Sequence, residues 1–104
     1  MSFRVELSPQ ARAQIATINL WWAENRPAAP TLVAAEFETA IQQLTTSPES
    51  GRLHDRRNQA HVRKVLLPRS RYHLYYEVEP ASRLVTILAI WPLSRGQGPE
   101  LQPR

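Results

Sequence analysis

The alternation of apolar and polar positions divides the chain into one short strand, two amphipathic helices and three further strands. Phe3-Arg4-Val5-Glu6-Leu7 alternates with the period of two that marks a half-buried strand. Ser8-Pro9 then reads as a helix start. The serine hydroxyl is placed to cap, and proline at the first helical position forfeits only an N–H that has no acceptor within the helix. Ala11, Ile15, Ile18 and Trp22 recur at spacings of three and four, carrying the first helix to about Asn25. Pro27 and Pro30 bracket a short connection, and Val33, Phe37, Ile41 and Leu44 repeat the helical spacing to about Thr46. So short a link predicts an antiparallel helical hairpin.

Ser47-Pro48-Glu49-Ser50-Gly51 stops the second helix. The polar, basic segment from Arg52 to Ala60 has no periodicity and reads as a loop. Strands are predicted over about 61–67, 71–78 and 84–91. The links Pro68-Arg69-Ser70 and Glu79-Pro80-Ala81-Ser82-Arg83 are of hairpin length, so the three strands form an antiparallel meander. In the middle strand Tyr72, Leu74, Tyr76 and Val78 share one face, and His73, Tyr75 and Glu77 the other. Tyr76 is the expected core residue; Tyr75 is expected to be exposed beside His73. The last strand is apolar on both faces, with Val85, Ile87, Ala89 and Trp91 opposed to Leu84, Leu88 and Ile90, which predicts a strand covered on both sides. Pro92 ends regular pairing. Residues 96–104, rich in glycine and proline, are expected to be irregular or mobile. The order β-α-α-β-β-β defines an α+β fold in which a helical hairpin packs on a small, mainly antiparallel sheet.

At 104 residues with a 42% apolar composition the chain is expected to be a single domain, residues 1–104. Cysteine is absent, which excludes a disulfide framework and fits a reducing compartment. Arg4, Glu6 and Arg12 interrupt any signal-peptide pattern, and no run approaches membrane-span length, so a soluble cytoplasmic protein is expected. The net charge of +4 is unevenly spread. Residues 1–51 hold three arginines against five glutamates, whereas residues 52–71 hold six arginines and Lys64 against Asp55 alone. All basic residues except Lys64 are arginine, whose planar fork suits carboxylate or phosphate. An acidic partner, nucleic acid or protein, is implied.

Recognisable catalytic chemistry is sparse. His54, His61 and His73 do not have metal-site spacing and no cysteine supports them, so no metal or other cofactor is expected. Three glycines provide no phosphate loop, and no G-x-S-x-G nucleophile motif occurs. Trp21 and Trp22, about 100° apart on a helix, cannot both face the core. One of them, Trp21 in our assignment, is a candidate partner anchor.

The run Val62-Arg63, then Arg71-Tyr72-His73-Leu74-Tyr75-Tyr76-Glu77-Val78, then Val85-Thr86-Ile87-Leu88-Ala89-Ile90-Trp91 and Ser94-Arg95, resembles the RelE/ParE toxins of type II toxin–antitoxin modules. Val5-Glu6-Leu7-Ser8-Pro9-Gln10-Ala11 and Ala34-Ala35-Glu36-Phe37 resemble the same family's opening strand and second helix. The resemblance implies a toxin neutralised by a cognate antitoxin with an acidic, initially disordered tail, in a hetero-oligomer. It also implies one of two activities. ParE-like members are associated with inhibition of DNA gyrase, and RelE-like members cut mRNA on the ribosome without a metal, using lysine and arginine, often with a C-terminal Tyr or His. Cleavage needs a base, an acid and cations around the phosphate. This chain has one lysine and no Tyr or His after Trp91. The ParE-like reading is therefore favoured; a ribonuclease using Arg63, Lys64, Arg71 and Arg95, or a non-toxic antitoxin-binding relative, are the alternatives. The residues expected to meet target or antitoxin are Arg63, Arg71, His73, Tyr75, Arg95, Trp21, Arg56 and Arg57.

Overall fold

A computed structural model describes residues 2–53, 62–96 and 98–102. The chain runs β1 (Arg4–Leu7), α1 (Pro9–Asn25), α2 (Leu32–Thr46), β2 (Arg52–Leu53), β3 (Val62–Leu67), β4 (Tyr72–Glu79) and β5 (Leu84–Pro92), with short 3-10 turns at Pro80–Ser82 and Leu93–Arg95. The strands form one five-stranded sheet in the order β1-β5-β4-β3-β2. β1 pairs with β5 in parallel, and every other neighbour is antiparallel. The last strand is thus interior, flanked by β1 and β4, as its apolar faces require.

Four corrections to the sequence reading follow. Residues 52 and 53, read as loop, form β2 by pairing with Lys64 and Arg63; two residues are too few to show a period. Residues 54–61, including His54, Arg56, Arg57 and His61, lie outside the described residues. Arg71 does not open β4 but closes the preceding turn at φ +67°.

The third correction is a β-bulge. Tyr75 pairs with Ala89 but Tyr76 pairs with Ile87, so Leu88 is an extra residue on β5. Because side chains alternate with period two, one inserted residue exchanges the faces of everything beyond it. Val85, Ile87 and then Ile90 face the helices, while Leu88 and Ala89 both lie in the cluster on the opposite face. The predicted grouping of Ala89 and Trp91 with Ile87 fails at this point. Tyr75 sits opposite Ala89 and is 3% exposed, so it is core and not surface.

Helix α1 holds the bulge in place. Ser8 caps α1 by accepting from Ala11 N at 3.1 Å, and its hydroxyl donates to the Leu88 carbonyl at 3.1 Å. Its own N–H donates to the Ile87 carbonyl at 2.9 Å, and Ile90 N donates to Gln14 Oε1 at 2.9 Å. These contacts occupy polar groups of β5 beyond the point where β1 ends. Ala11 and Trp22 of α1 and Val33, Ala40 and Leu44 of α2 bury one helix face each against Leu67, Leu74, Tyr76, Val85, Ile87 and Ile90. Glu36 of α2 reaches the β3–β4 turn and Thr45 accepts from Phe3 N, while Trp22 of α1 reaches Tyr72, so the helices run antiparallel across the sheet.

The opposite sheet face carries a smaller cluster of Val62, Tyr75, Leu88 and Ala89, joined by Trp91 and Leu101. The described part of the C-terminal tail is anchored. Gln10 Nε2 donates to the Glu100 carbonyl at 2.8 Å, Gln102 N donates to Gln10 Oε1 at 2.9 Å, and Pro99 is buried. Among the described residues no helix is long and apolar enough to cross a membrane.

Ser8→Ala removes a helix cap and the donor to a buried carbonyl at once. It should lower unfolding free energy by about 1–3 kcal/mol, read by chemical denaturation. Thr17→Ala, whose exposed hydroxyl bonds only the Ala13 carbonyl, should stay within about 0.5 kcal/mol of the wild type.

Candidate functional site

The end of the sheet where β4 begins and β5 finishes is not closed by the helices. Ala13, Gln14, Thr17, Ile18 and Trp21 of α1 face Tyr72, Ile90, Trp91, Pro92, Ser94 and Arg95 across a groove of 570 Å³. A second hollow of 450 Å³ continues it past Trp22, Arg26, Ser70, Arg71 and Leu93, sharing Trp21, Tyr72, Pro92 and Ser94. No acidic side chain lines either part. The floor is aromatic and apolar, and three arginines stand around it.

Two of those cations rest on indole rings. The Arg26 guanidinium lies 4.8 Å from the Trp21 ring and 5.7 Å from that of Trp22, which are themselves edge to face at 6.1 Å. Arg95 lies 5.0 Å from the Trp91 ring. Both pairings come from spacings of four or five residues at an element's end, so local backbone geometry places them. Stacked this way, an arginine retains its donors while its stem is partly ordered. Trp22 is buried and donates from Nε1 to the Tyr72 hydroxyl at 3.2 Å, whereas Trp21 is 43% exposed. The adjacent tryptophans divide as expected, one in the core and one at the groove.

Arg71 reaches the groove from the β3–β4 turn. Its N–H donates to the Leu67 carbonyl at 2.9 Å, and its own carbonyl accepts from Leu93 N at 3.0 Å, tying the turn to the short helix that carries Arg95. Glu36 holds the same turn from α2, accepting from Arg69 N at 2.9 Å and Ser70 N at 2.7 Å. Burial alone would push the Glu36 carboxyl up. The hydrogen bonds at the turn and the Arg69 charge outweigh it and hold the group below its ordinary value.

Of the residues singled out from the sequence, Trp21, Arg71 and Arg95 converge here. The others do not. Arg63 faces the helix side, where its guanidinium donates to the Gly51 carbonyl at 2.7 Å and the Glu49 carbonyl at 3.3 Å. It clasps the α2–β2 connection, which Tyr76 also holds by accepting from Gly51 N at 2.8 Å. A Cβ at Gly51 would meet the Tyr76 hydroxyl at 2.5 Å and the Lys64 carbonyl at 2.7 Å, so only glycine fits. Lys64 is next in β3 and points to the opposite face. His73 and Tyr75 also lie there, rings edge to face at 6.1 Å, with burial pushing the Tyr75 phenol up. Arg26, Tyr72 and Trp91 were not singled out from the sequence. The Trp-x3-Arg spacing, present twice as Trp22/Arg26 and Trp91/Arg95, is the signal that could have found Arg26 and Trp91, and no such spacing marks Tyr72. Among the described residues no group of three or more His, Cys, Asp or Glu could hold a metal ion.

The family model described as the ParE toxin of the type II toxin–antitoxin system parDE matches residues 5–96. The chain belongs to that family. A search of curated proteins finds no match. Among solved structures, the fold is similar to the toxin–antitoxin complex RelBE2 from Mycobacterium tuberculosis, at 22% identity and TM-score 0.59, covering 86% of this chain and 90% of that one. It is similar to the chromosomal ParDE system from P. aeruginosa at 16% identity and TM-score 0.70, covering 86% and 95%. It is also similar to an arginine-substituted mutant of the E. coli toxin RelE in the free state, at 14% identity and TM-score 0.59, covering 91% and 87%. At these identities the likenesses establish the fold: two helices on a mixed five-stranded sheet within the RelE/ParE superfamily.

Two predictions concern the turns of this ParE-family protein. Arg71 and Arg83 are the two non-glycine residues at positive φ among those described. Glycine relieves left-handed strain of about 1–2 kcal/mol and gives back about 0.5–1 kcal/mol in unfolded-state entropy. Arg71→Gly and Arg83→Gly should therefore melt at or slightly above the wild-type temperature. Glu36→Gln should cost about 1–3 kcal/mol near neutral pH. With the folded-state carboxyl lowered, that contribution is fully present above the group's ordinary value and is lost as pH falls through the folded one. Denaturation at a series of pH values should show wild type and variant converging in acid.

Proposed function

We propose that this ParE-family protein is a cytoplasmic toxin that inhibits DNA gyrase and is neutralised by a cognate antitoxin, whose acidic segment docks in the Trp21–Arg71–Arg95 groove. The observation that carries the choice of target is the dispersal of the residues an RNA-cleaving site would need. Arg63 is engaged with backbone carbonyls and Lys64 projects from the other sheet face, while Arg71 and Arg95 stand at the far end of β4 and β5. Strand pairing supports this, since Arg63 and Lys64 lie opposite Tyr76 and Tyr75, several residues from Tyr72. Cleavage needs base, acid and cations around one phosphate, and the separation of these four described residues supports the gyrase reading.

The antitoxin reading is supported by the groove's chemistry. An aromatic and apolar floor of two connected hollows, rimmed by Arg26, Arg71 and Arg95 and free of acidic lining, complements an amphipathic acidic segment that orders on binding. The solved complexes RelBE2 and ParDE pair toxins of this fold with antitoxins, which supports the same arrangement here.

Induction of the protein alone in bacteria should give filamentation with a DNA-damage response, and the purified protein should inhibit gyrase supercoiling. Rapid translation arrest with cleaved mRNA would overturn the gyrase reading in favour of the nuclease. Normal growth at good expression would leave only antitoxin binding. Arg71→Glu and Arg95→Glu should each weaken the complex with the antitoxin encoded beside it by roughly 10-fold or more, as expected for reversing a cation that faces an acidic segment. The effect should be read by calorimetry and should shrink as salt rises.

A further inference from the structure

Glu36 lines neither hollow of the groove, yet three successive contacts connect it to both of the groove's C-terminal cations. Its two carboxylate oxygens take the N–H groups of Arg69 and Ser70. Those residues lead directly into Arg71, whose left-handed backbone is closed by its N–H on the Leu67 carbonyl. The Arg71 carbonyl then accepts from Leu93 N, the first residue of the 3-10 turn that ends in Arg95. We propose that Glu36 is a positioning residue for the groove: by fixing the β3–β4 turn from α2, it sets where Arg71 stands and, through Leu93, where Arg95 stands.

The chemistry favours a carboxylate in this role. Two adjacent backbone N–H groups converge on one side chain, and only an acceptor at both positions satisfies them. An amide of the same shape presents one acceptor and one donor, so it would satisfy one N–H and oppose the other. The carboxylate also stays off the guanidinium groups of the rim, because both its oxygens are engaged at the turn. Arg71 and Arg95 are therefore ordered by an acid that does not neutralise them. Arg69 is the charged side chain facing Glu36 in the hollow between α2 and β3.

This inference rests on the proposed reading that the groove takes an acidic partner, and the test separates the two. Backbone amide exchange and shifts are followed by NMR in the wild type and in Glu36→Gln, and binding of a short poly-glutamate peptide is measured in parallel. In the wild type the Ser70 and Leu93 amide shifts should follow one shared carboxyl titration, which the variant lacks. In Glu36→Gln the Leu93 amide should lose protection although it touches no atom of Glu36. Peptide affinity should fall on the order of tenfold, the size of one charge-assisted contact. The fall should disappear when Arg71→Gly and Arg95→Ala are already present. An unchanged Leu93 amide, or an equal fall without the two arginines, would overturn the positioning role. Failure of the peptide to bind the wild type would sink the groove reading instead and leave amide exchange to decide on Glu36. Should Glu36→Gln fold poorly, the wild-type titration alone decides, because Leu93 either follows the carboxyl or does not.

Discussion

The serine that opens α1 also fixes the bulge of β5, and much of the site's geometry depends on that double contact. Its hydroxyl can accept from the helix N-terminus and donate to Leu88 at the same time, which an apolar residue cannot do. The contact docks the start of α1 against β5 where β1 ends. It also stabilises an inserted residue that turns Ile90 toward the helices and Leu88 and Ala89 away. Without the insertion Ile90 would face the open side, and the groove wall would lose the apolar residue that meets α1. A small polar contact at one end of the helix thereby sets the composition of a cleft at the other.

The same economy appears in how charge is arranged. Arg26 and Arg95 keep their charge available because, among the described residues, indole rings, and not ion pairs, lie against their guanidinium groups. A cation stacked on an exposed indole gains about 0.5–1 kcal/mol, enough to bias its rotamers without committing its donors. A salt bridge in the same position would present a neutral pair to any arriving acid. The one acid at the turn is engaged with backbone amides. An acidic segment entering the groove therefore meets donors that are partly ordered and still unspent, which lowers the entropic cost of binding.

Much of this was legible in the sequence where the signal was periodic. Both helices, the cap at Ser8, two of the four strand pairings and the helix-facing set Tyr72, Leu74, Tyr76 and Val78 follow from spacing and link length, because burial of one face requires it. The two-residue β2 left no period to detect, and a bulge leaves none by nature, since it is the local violation of a period. Tyr75 departs from its pattern for a related reason. A polar-tipped side chain on the second face reads as exposed unless something is known to cover that face, and here Val62, Leu88, Ala89 and the anchored tail around Leu101 do so. The charge of Arg63 draws it toward function, and spacing gives no sign that its guanidinium donates to the Gly51 and Glu49 carbonyls.

Backbone strain at Arg71 bears on which of the remaining arginines matter. A left-handed arginine is costly relative to glycine, and strained residues gather at functional sites. Arg83 shares the conformation, however, in the turn between β4 and β5 at the other end of the sheet. Strain alone therefore does not single out Arg71. The Arg83 carbonyl is bonded too, accepting from Arg4 N of β1 at 2.9 Å, so what separates the two is place: the Arg71 turn is held by a carboxylate from α2, its carbonyl is bonded to the segment carrying Arg95, and its side chain borders an acid-free aromatic groove. A side chain kept where the backbone would prefer none, and braced by two other elements, is the pattern expected when the guanidinium itself is used. By that criterion the groove proposed for this ParE-family protein finds its support, among the described residues, at the Arg71–Arg95 end of the sheet, away from Arg63 and Lys64.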